Sequence, residues 1–390
     1  MPYYRAVGEI PRKRHIQFRR PDGGLYAEEL MGEDGFSSDS SLLYHRYPPT
    51  AVVGIEAVAA PAEGLTANLP LAPRHFRTQD LKPGGDLVTG RQPLCGNEDV
   101  RMSYVWADQA SGLYRNSTGD ECVYLQSGSA RFESSYGVLA AAEGDYVVVP
   151  TGTIHRWVPS GQVRALVIEG RGHIGPPRRY LSACGQFLEQ APYSERDLRV
   201  PAAPLLVEEG QTPVLVRTRG GLTRMTFAHH PFDVVGWDGC LYPYAFNIHD
   251  FEPIVKRTHA PPPVHQTFEG QGFVICSFCP RPLDFHDQAV PIPYNHHNVD
   301  SDEFMFYAGG DYTARQGSGI DVGSISLHPA GFTHGPQPGS VEAVLAGGAT
   351  TTSELAVMID TFRPLSLGPA ALACEDPGYP WTWAGSNGSA

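Results

Sequence analysis

Apolar residues along the chain fall in short β-branched runs, each closed by turn-forming residues. "DYVVVPTG" (145–152), "RALVIEG" (164–170), "TPVLVRT" (212–218), "GFVICSF" (272–278) and "ELAVMID" (354–360) carry this signature. Such runs fit strands buried on one or both faces, whereas the i, i+3, i+4 recurrence of an amphipathic helix is scarce. "GQFLEQA" (185–191) predicts one or two helical turns, and Ile16 and Phe18 around Gln17 predict the opening of a strand. The pattern as a whole predicts an all-β protein with few short helices.

One pattern occurs twice. "GDYVVVPTGTIH" (144–155) and "GSISLHPAGFTH" (323–334) share Gly, five residues, Pro, one residue, Gly, two residues and His. The matched positions are Gly144, Pro150, Gly152 and His155 against Gly323, Pro329, Gly331 and His334. Upstream of each lies a glutamate followed by six residues and a glycine: Glu121 with Gly128, and Glu303 with Gly310. Two halves, each with a strand carrying Glu and a later turn carrying His, describe a duplicated β-barrel. The spacing resembles the cupin double motif, which implies a bicupin of two jelly-roll barrels. An N-terminal arm and first barrel are expected over 1–200, and a second, catalytic barrel over 201–390.

The two halves differ in their chemistry. In the second, His296 and Asn298 are two apart and share a strand face. Asn298 falls in the motif's second-histidine slot, which makes His296 rather than His297 the first histidine. Glu303 follows after "VDSD", and His334 arrives from the later turn. Two imidazoles and one carboxylate converging in a barrel form a facial set that leaves coordination positions open and favours non-haem Fe(II). In the first half the same offsets from Glu121 land on Tyr114 and Asn116, so only Glu121 and His155 remain. That is too few donors for a tight site, and a metal-free, structural first barrel is expected.

Composition narrows the class. The 390 residues include 43 Gly and 35 Pro without a collagen-like period, which suits many strands joined by turns. A net charge of −13 with no basic run argues against nucleic-acid or anionic-membrane partners. Seven scattered cysteines do not form a disulfide framework and favour a reducing, cytoplasmic setting. Cys276 and Cys279 form a C-x-x-C in an apolar strand-like run, where a buried structural role is expected. The N-terminus is basic but has no apolar signal core, and no window approaches the ~18 apolar residues of a membrane-spanning helix.

Longer stretches across most of the chain resemble the homogentisate 1,2-dioxygenase family: "MPYYRAVGEIPRKRH" (1–15), "LSACGQFLEQAPYSERDLRVP" (181–201), "HPFDVVGWDGCLYPYAFNI" (230–248), "PPPVHQTFEG" (261–270), "HHNVDSDEF" (296–304), "SLHPAGFTHGP" (326–336) and "AVMIDTFRPL" (356–365). The resemblance implies His296, Glu303 and His334 as iron ligands and His265 as the acid/base histidine. It implies Tyr312, His328 and His334 as substrate-binding residues. It also implies a homo-oligomer, trimer or hexamer, to which the N-terminal arm could contribute. The chain departs from the family where His297 stands in place of a frequent arginine, and by one extra residue between the first histidine and Glu303 relative to the animal enzymes. These departures bear on which acid side chain the ring carries.

The expected reaction is cleavage of homogentisate by O2 to maleylacetoacetate, in tyrosine and phenylalanine catabolism. His265, with an ordinary pKa near ~6.5, would take a proton from a ring hydroxyl. The alternatives are a ring-cleaving dioxygenase for gentisate or another substituted hydroquinone, a Zn(II) or Mn(II) cupin isomerase, and a non-catalytic bicupin. The tail 384–390 is expected to be mobile.

Overall fold

The computed structural model describes residues 3–59 and 64–384. The chain is an all-β bicupin that divides into two compact units. The first takes residues up to 62, 83–91 and 105–247; the second takes 63–82, 92–104 and 248–390.

In the first unit, strand Glu121–Ser127 lies between Asp145–Val149 and Val163–Gly170, antiparallel to both. Alternation sends Val123, Leu125, Val147, Val149, Ala165 and Val167 into one core with Phe132 and Trp157. A facing sheet contains Ser129–Ser134, His155–Pro159, Leu113–Asn116 and Thr212–Thr218. The division expected at residue 200 is therefore corrected to 247. Thr212–Thr218 pairs in parallel with Leu113–Asn116, and Tyr244–Asn247 pairs with Asp145–Val149, so the chain beyond 200 completes the first barrel's hydrogen bonding.

The second unit is built on a six-stranded sheet. Its order is Gln266–Gly270, Phe273–Phe278, Leu355–Thr361, Asp302–Gly309, Ser324–His328, Arg74–Arg77. Phe304, Phe306, Ile325, Leu327, Val357 and Ile359 are buried on one face. The opposite face carries Glu303, Met305 and Tyr307, with Met358 and Cys276 beside them, and is buried as well. Burial on both faces explains why these strands read as continuous apolar runs.

The duplicated spacing is visible in the backbone. Gly152 N–H donates to the Asn116 carbonyl (2.8 Å), and Gly331 N–H to that of Asn298 (2.7 Å). Gly144 N–H reaches Leu125 O and Gly323 N–H reaches Tyr307 O, each at 2.8 Å. Gly128 and Gly310, which close the Glu-x6-Gly segment, have φ of +84° and +81°. A Cβ at Gly310 would stand 1.8 Å from the Ser353 carbonyl oxygen, so this position excludes any side chain.

Two sequence-based expectations change. Residues 185–191 form turns rather than a helix: Leu188 N–H returns to Tyr180 O, and Leu181 bridges Phe187. Ile16 and Phe18 lie outside any strand; Phe18 packs edge-on against Tyr44 while Ile16 is exposed, and the first strand is Arg5–Gly8. All seven cysteines are free thiols, with Cys276 and Cys279 buried. The tail from 385 lies outside the described residues. Among those described, no helix is long and apolar enough to cross a membrane.

Candidate metal centre

Each barrel centres on its motif glutamate, and an aspartate just before it sets the geometry. Asp302 accepts the N–H groups of Ala330 and Leu365 (each 2.8 Å), pinning the Pro-x-Gly turn to the Glu303 strand. Asp120 does the same in the first barrel through Thr151 (2.7 Å) and Ile174 (2.9 Å). The turn then delivers the histidine. In the second barrel His334 and His296 exchange two backbone hydrogen bonds of 2.8 Å, which places their side chains together.

The side chains of His296, Glu303 and His334 each offer a donor atom, and these atoms lie within 4.8 Å of one another. His334 Nε2 is 3.6 Å and His296 Nε2 4.0 Å from the Glu303 carboxylate oxygens. Each ring donates its Nδ1–H to a main-chain carbonyl: His296 to Tyr294 (2.9 Å) and His334 to Phe332 (3.0 Å). That fixes the tautomer and leaves Nε2 with a lone pair aimed at the carboxylate. His334 Nε2 is buried without a hydrogen-bond partner. Two such nitrogens and one anionic oxygen suit a divalent cation held by N and O donors. Burial alone would raise the pKa of Glu303, but the His296, His328 and His334 rings beside it outweigh this and hold the carboxyl well below its usual range.

The remaining predicted residues fall in two groups. His265, Tyr312, His296 and Glu303 line a cavity of about 450 Å³. His265 ends the turn Pro262–His265, stacks on Phe278 at 4.3 Å, and has a buried Nδ1 without a partner. Burial, with Arg281 and His259 adding to it, pushes its pKa down to about 3, so the ring is neutral at physiological pH rather than titrating near 6.5. The Tyr312 hydroxyl is also buried without a partner, and burial raises its pKa.

His328, expected as a substrate contact, is not among the residues lining the cavity; it backs the Glu303 carboxylate. It stands opposite Glu303 on the next strand. Its Nδ1–H donates to Glu303 Oε1 (2.8 Å), and its Nε2 accepts from the Tyr379 hydroxyl (3.0 Å). Burial pushes its pKa down to about 3, so this is a neutral imidazole orienting a carboxylate, not an ion pair. The His334 side chain, also expected to touch substrate, meets the Glu303 carboxylate. His297 bonds only weakly to Thr333, at 3.4 Å.

Several residues at the centre were not singled out from the sequence. Asp360 pairs with Glu303 across the other neighbouring strand; burial and the Glu303 charge raise its pKa to about 7. Tyr379 and Trp383 come from the turn Tyr379–Ala384, and Trp383 Nε1–H donates to Gly335 O (3.1 Å). The aromatic spacing in "GYPWTWAG" was the available signal.

In the first barrel Arg91 fills the cation's position. Its two terminal nitrogens grip Glu121 at 2.9 and 2.8 Å, and Nη1 lies 3.2 Å from Glu169. Tyr114 and Asn116, at the offsets of the missing histidines, donate to Glu121 Oε1 at 3.1 and 2.9 Å. Burial opposes ionisation of Glu121, but Arg91 outweighs it and holds the carboxyl down at about 2. A separate group, Glu33, Asp120 and His173, also clusters within 4.8 Å. There the hydrogen bonds to Asp120 and Glu33 lift the His173 pKa to about 10, and a protonated imidazole offers no lone pair.

The fold and this centre define a bicupin with one barrel furnished for a metal ion and the other closed by an arginine. Models of the homogentisate 1,2-dioxygenase N-terminal and C-terminal domains match residues 5–248 and 251–388. The chain belongs to the homogentisate 1,2-dioxygenase family. A protein of Saccharolobus solfataricus, provisionally named as a dioxygenase, is 37% identical over 385 residues, covering 98% of this chain and 99% of its own. Among solved structures, a cupin 2 conserved barrel domain protein of Leptotrichia buccalis is 9% identical at a TM-score of 0.33, covering 77% of this chain and 100% of its own. Protein Ylba of E. coli is 8% identical at a TM-score of 0.35, covering 78% and 96%. Family and relative together make this chain a dioxygenase.

Proposed function

We propose that the chain is an Fe(II)-dependent dioxygenase that opens the ring of homogentisate to give maleylacetoacetate. The observation that carries this reading is the pair of tautomer-fixed Nε2 atoms meeting Glu303 beside a cavity of single-ring size. Ferrous iron held by His296, Glu303 and His334 would supply the open coordination positions and the electrons that O2 activation requires. The protein's own residues do the rest. His265 lines the cavity and is neutral, and its partnerless Nδ1 would be the base that takes a ring hydroxyl's proton. A base of such low intrinsic pKa works when the hydroxyl is itself acidified by its surroundings. The Tyr312 hydroxyl offers a hydrogen bond to orient the ring substituent. Asn298 and Asp360 are linked at 3.3 Å beside the ligand set, and His328 holds the carboxylate from behind.

The test is oxygen uptake by Fe(II)-reconstituted protein with homogentisate, followed by the appearance of a ring-opened chromophore. Uptake with one O2 per substrate is the expected result. Uptake with gentisate but not homogentisate would move the substrate to that hydroquinone. No uptake with either, or turnover without oxygen, would overturn the reading.

A further inference from the structure

Two guanidinium groups lie on the cavity wall, and their surroundings differ. Arg281 is balanced by Glu354 at 2.9 Å. Arg315 has no carboxylate at ion-pair distance among the described residues. Its Nε–H donates to the Tyr307 hydroxyl (3.1 Å) and its Nη1–H to the Gly335 carbonyl (2.9 Å). Both acceptors are neutral, so they fix the orientation of the fork; the Glu303 carboxylate acts on its charge only from beyond ion-pair distance. Its Nη2 makes no hydrogen bond to the protein, and the residue lines the cavity.

The anchors also say where this charge sits. Gly335 directly follows His334, and Tyr307 shares a strand and a face with Glu303. The guanidinium is thus held to backbone beside one metal donor and to a side chain on the strand of another. Arg315 N–H closes a turn onto the Tyr312 carbonyl (2.8 Å), so the partnerless tyrosine hydroxyl belongs to the same turn. An unpaired charge in so enclosed a place is costly unless an anion arrives to meet it. A carboxylate matches a guanidinium fork in shape and charge.

The geometry points to Arg315 as the specificity-determining residue that receives the substrate's carboxylate and so selects aromatic acids over neutral hydroquinones. The assignment rests on the function proposed above.

The experiment compares homogentisate with its primary amide, which keeps the ring and removes the charge. Wild type, Arg315→Gln and Arg315→Lys are reconstituted with Fe(II), and kcat/KM is measured for both compounds by oxygen uptake. Equilibrium binding of both is measured anaerobically by tryptophan fluorescence. In Arg315→Gln the preference for acid over amide is expected to fall on the order of 10- to 100-fold in both measurements. Arg315→Lys keeps the charge without the fork and is expected to fall between, which preserves the test if the glutamine variant does not fold. An unchanged acid-to-amide ratio in either folded variant, with the wild type active, overturns this assignment alone. A wild type that neither binds nor oxidises the acid overturns the functional reading and this assignment together.

Discussion

Replacing Arg91 with methionine would leave Glu121 in the first barrel without its cation, while Glu169 keeps Arg217 at 3.5 Å. The Arg91 and Glu121 side chains are 7% and 1% exposed, so water cannot take over. Holding the Glu121 carboxyl at about 2 instead of its ordinary 4.5 corresponds to about 3 kcal/mol. That agrees with the ~3–5 kcal/mol typical of breaking a buried pair from one side. In a unit of this size the loss lowers the midpoint of thermal unfolding by roughly 6–20 °C. Because the folded pKa of Glu121 lies below its unfolded value, the stabilisation is complete above about pH 4.5 and disappears as pH falls toward 2. The gap between wild type and Arg91→Met should narrow across that window. The assay is calorimetry of both proteins at several pH values, together with the Arg91→Met/Glu121→Gln double variant, in which most of the loss should return. Iron content of the second barrel should stay at the wild-type level. An Arg91→Met protein within about 1 kcal/mol of wild type at pH 7 would refute the reasoning, because that is the behaviour of an exposed pair.

Other expectations follow from the second barrel and from a buried histidine in the first. His334→Ala should lose iron and activity together; elemental analysis showing full occupancy would contradict its place among the donors. His265→Ala should keep iron while turnover drops by roughly 10²–10⁴, and wild-type turnover would remove it from proton transfer. His328→Gln should weaken metal retention about 10- to 100-fold in a chelator competition; a raised KM with normal metal retention would instead restore it as a substrate contact. His45 is buried between Asp233 (2.7 Å) and Glu29 (3.0 Å). Burial opposes its charge, but the hydrogen bonds to the two carboxylates outweigh this and lift its pKa to about 9. Its stabilisation is therefore complete below about pH 6.5 and is lost as pH rises through 9, so His45→Gln should flatten the stability profile over that range.

The sequence made the donors of the second barrel legible because a metal demands fixed residue types at fixed spacing. His296, Glu303 and His334 could be named from one repeated pattern, and its glycines and prolines marked the turns that deliver them. The strands were legible for a related reason: burial on both faces leaves little room for polar residues. What supports the donors was not legible, because support can come from any position the fold brings near. Arg91 lies 30 residues from Glu121 with no motif around it. Asp120 and Asp302 read only as acids next to acids, although each clamps a turn. His328 sits within the repeat, yet only the register with Glu303 shows that its ring is turned toward the carboxylate. The boundary at 247 depended on strand pairing between distant segments, which composition does not encode.

The hydrogen bond from Tyr379 to His328 spans 51 positions, and the same terminal turn supplies Trp383 to the carbonyl beside His334. A nascent chain that has just released His334 already owns every metal-binding atom, but the carboxylate among them still lacks its backing. Translation must therefore run well past the last donor before the centre can take its final form, and assembly of the site is tied to completion of a segment that carries none of the three donors.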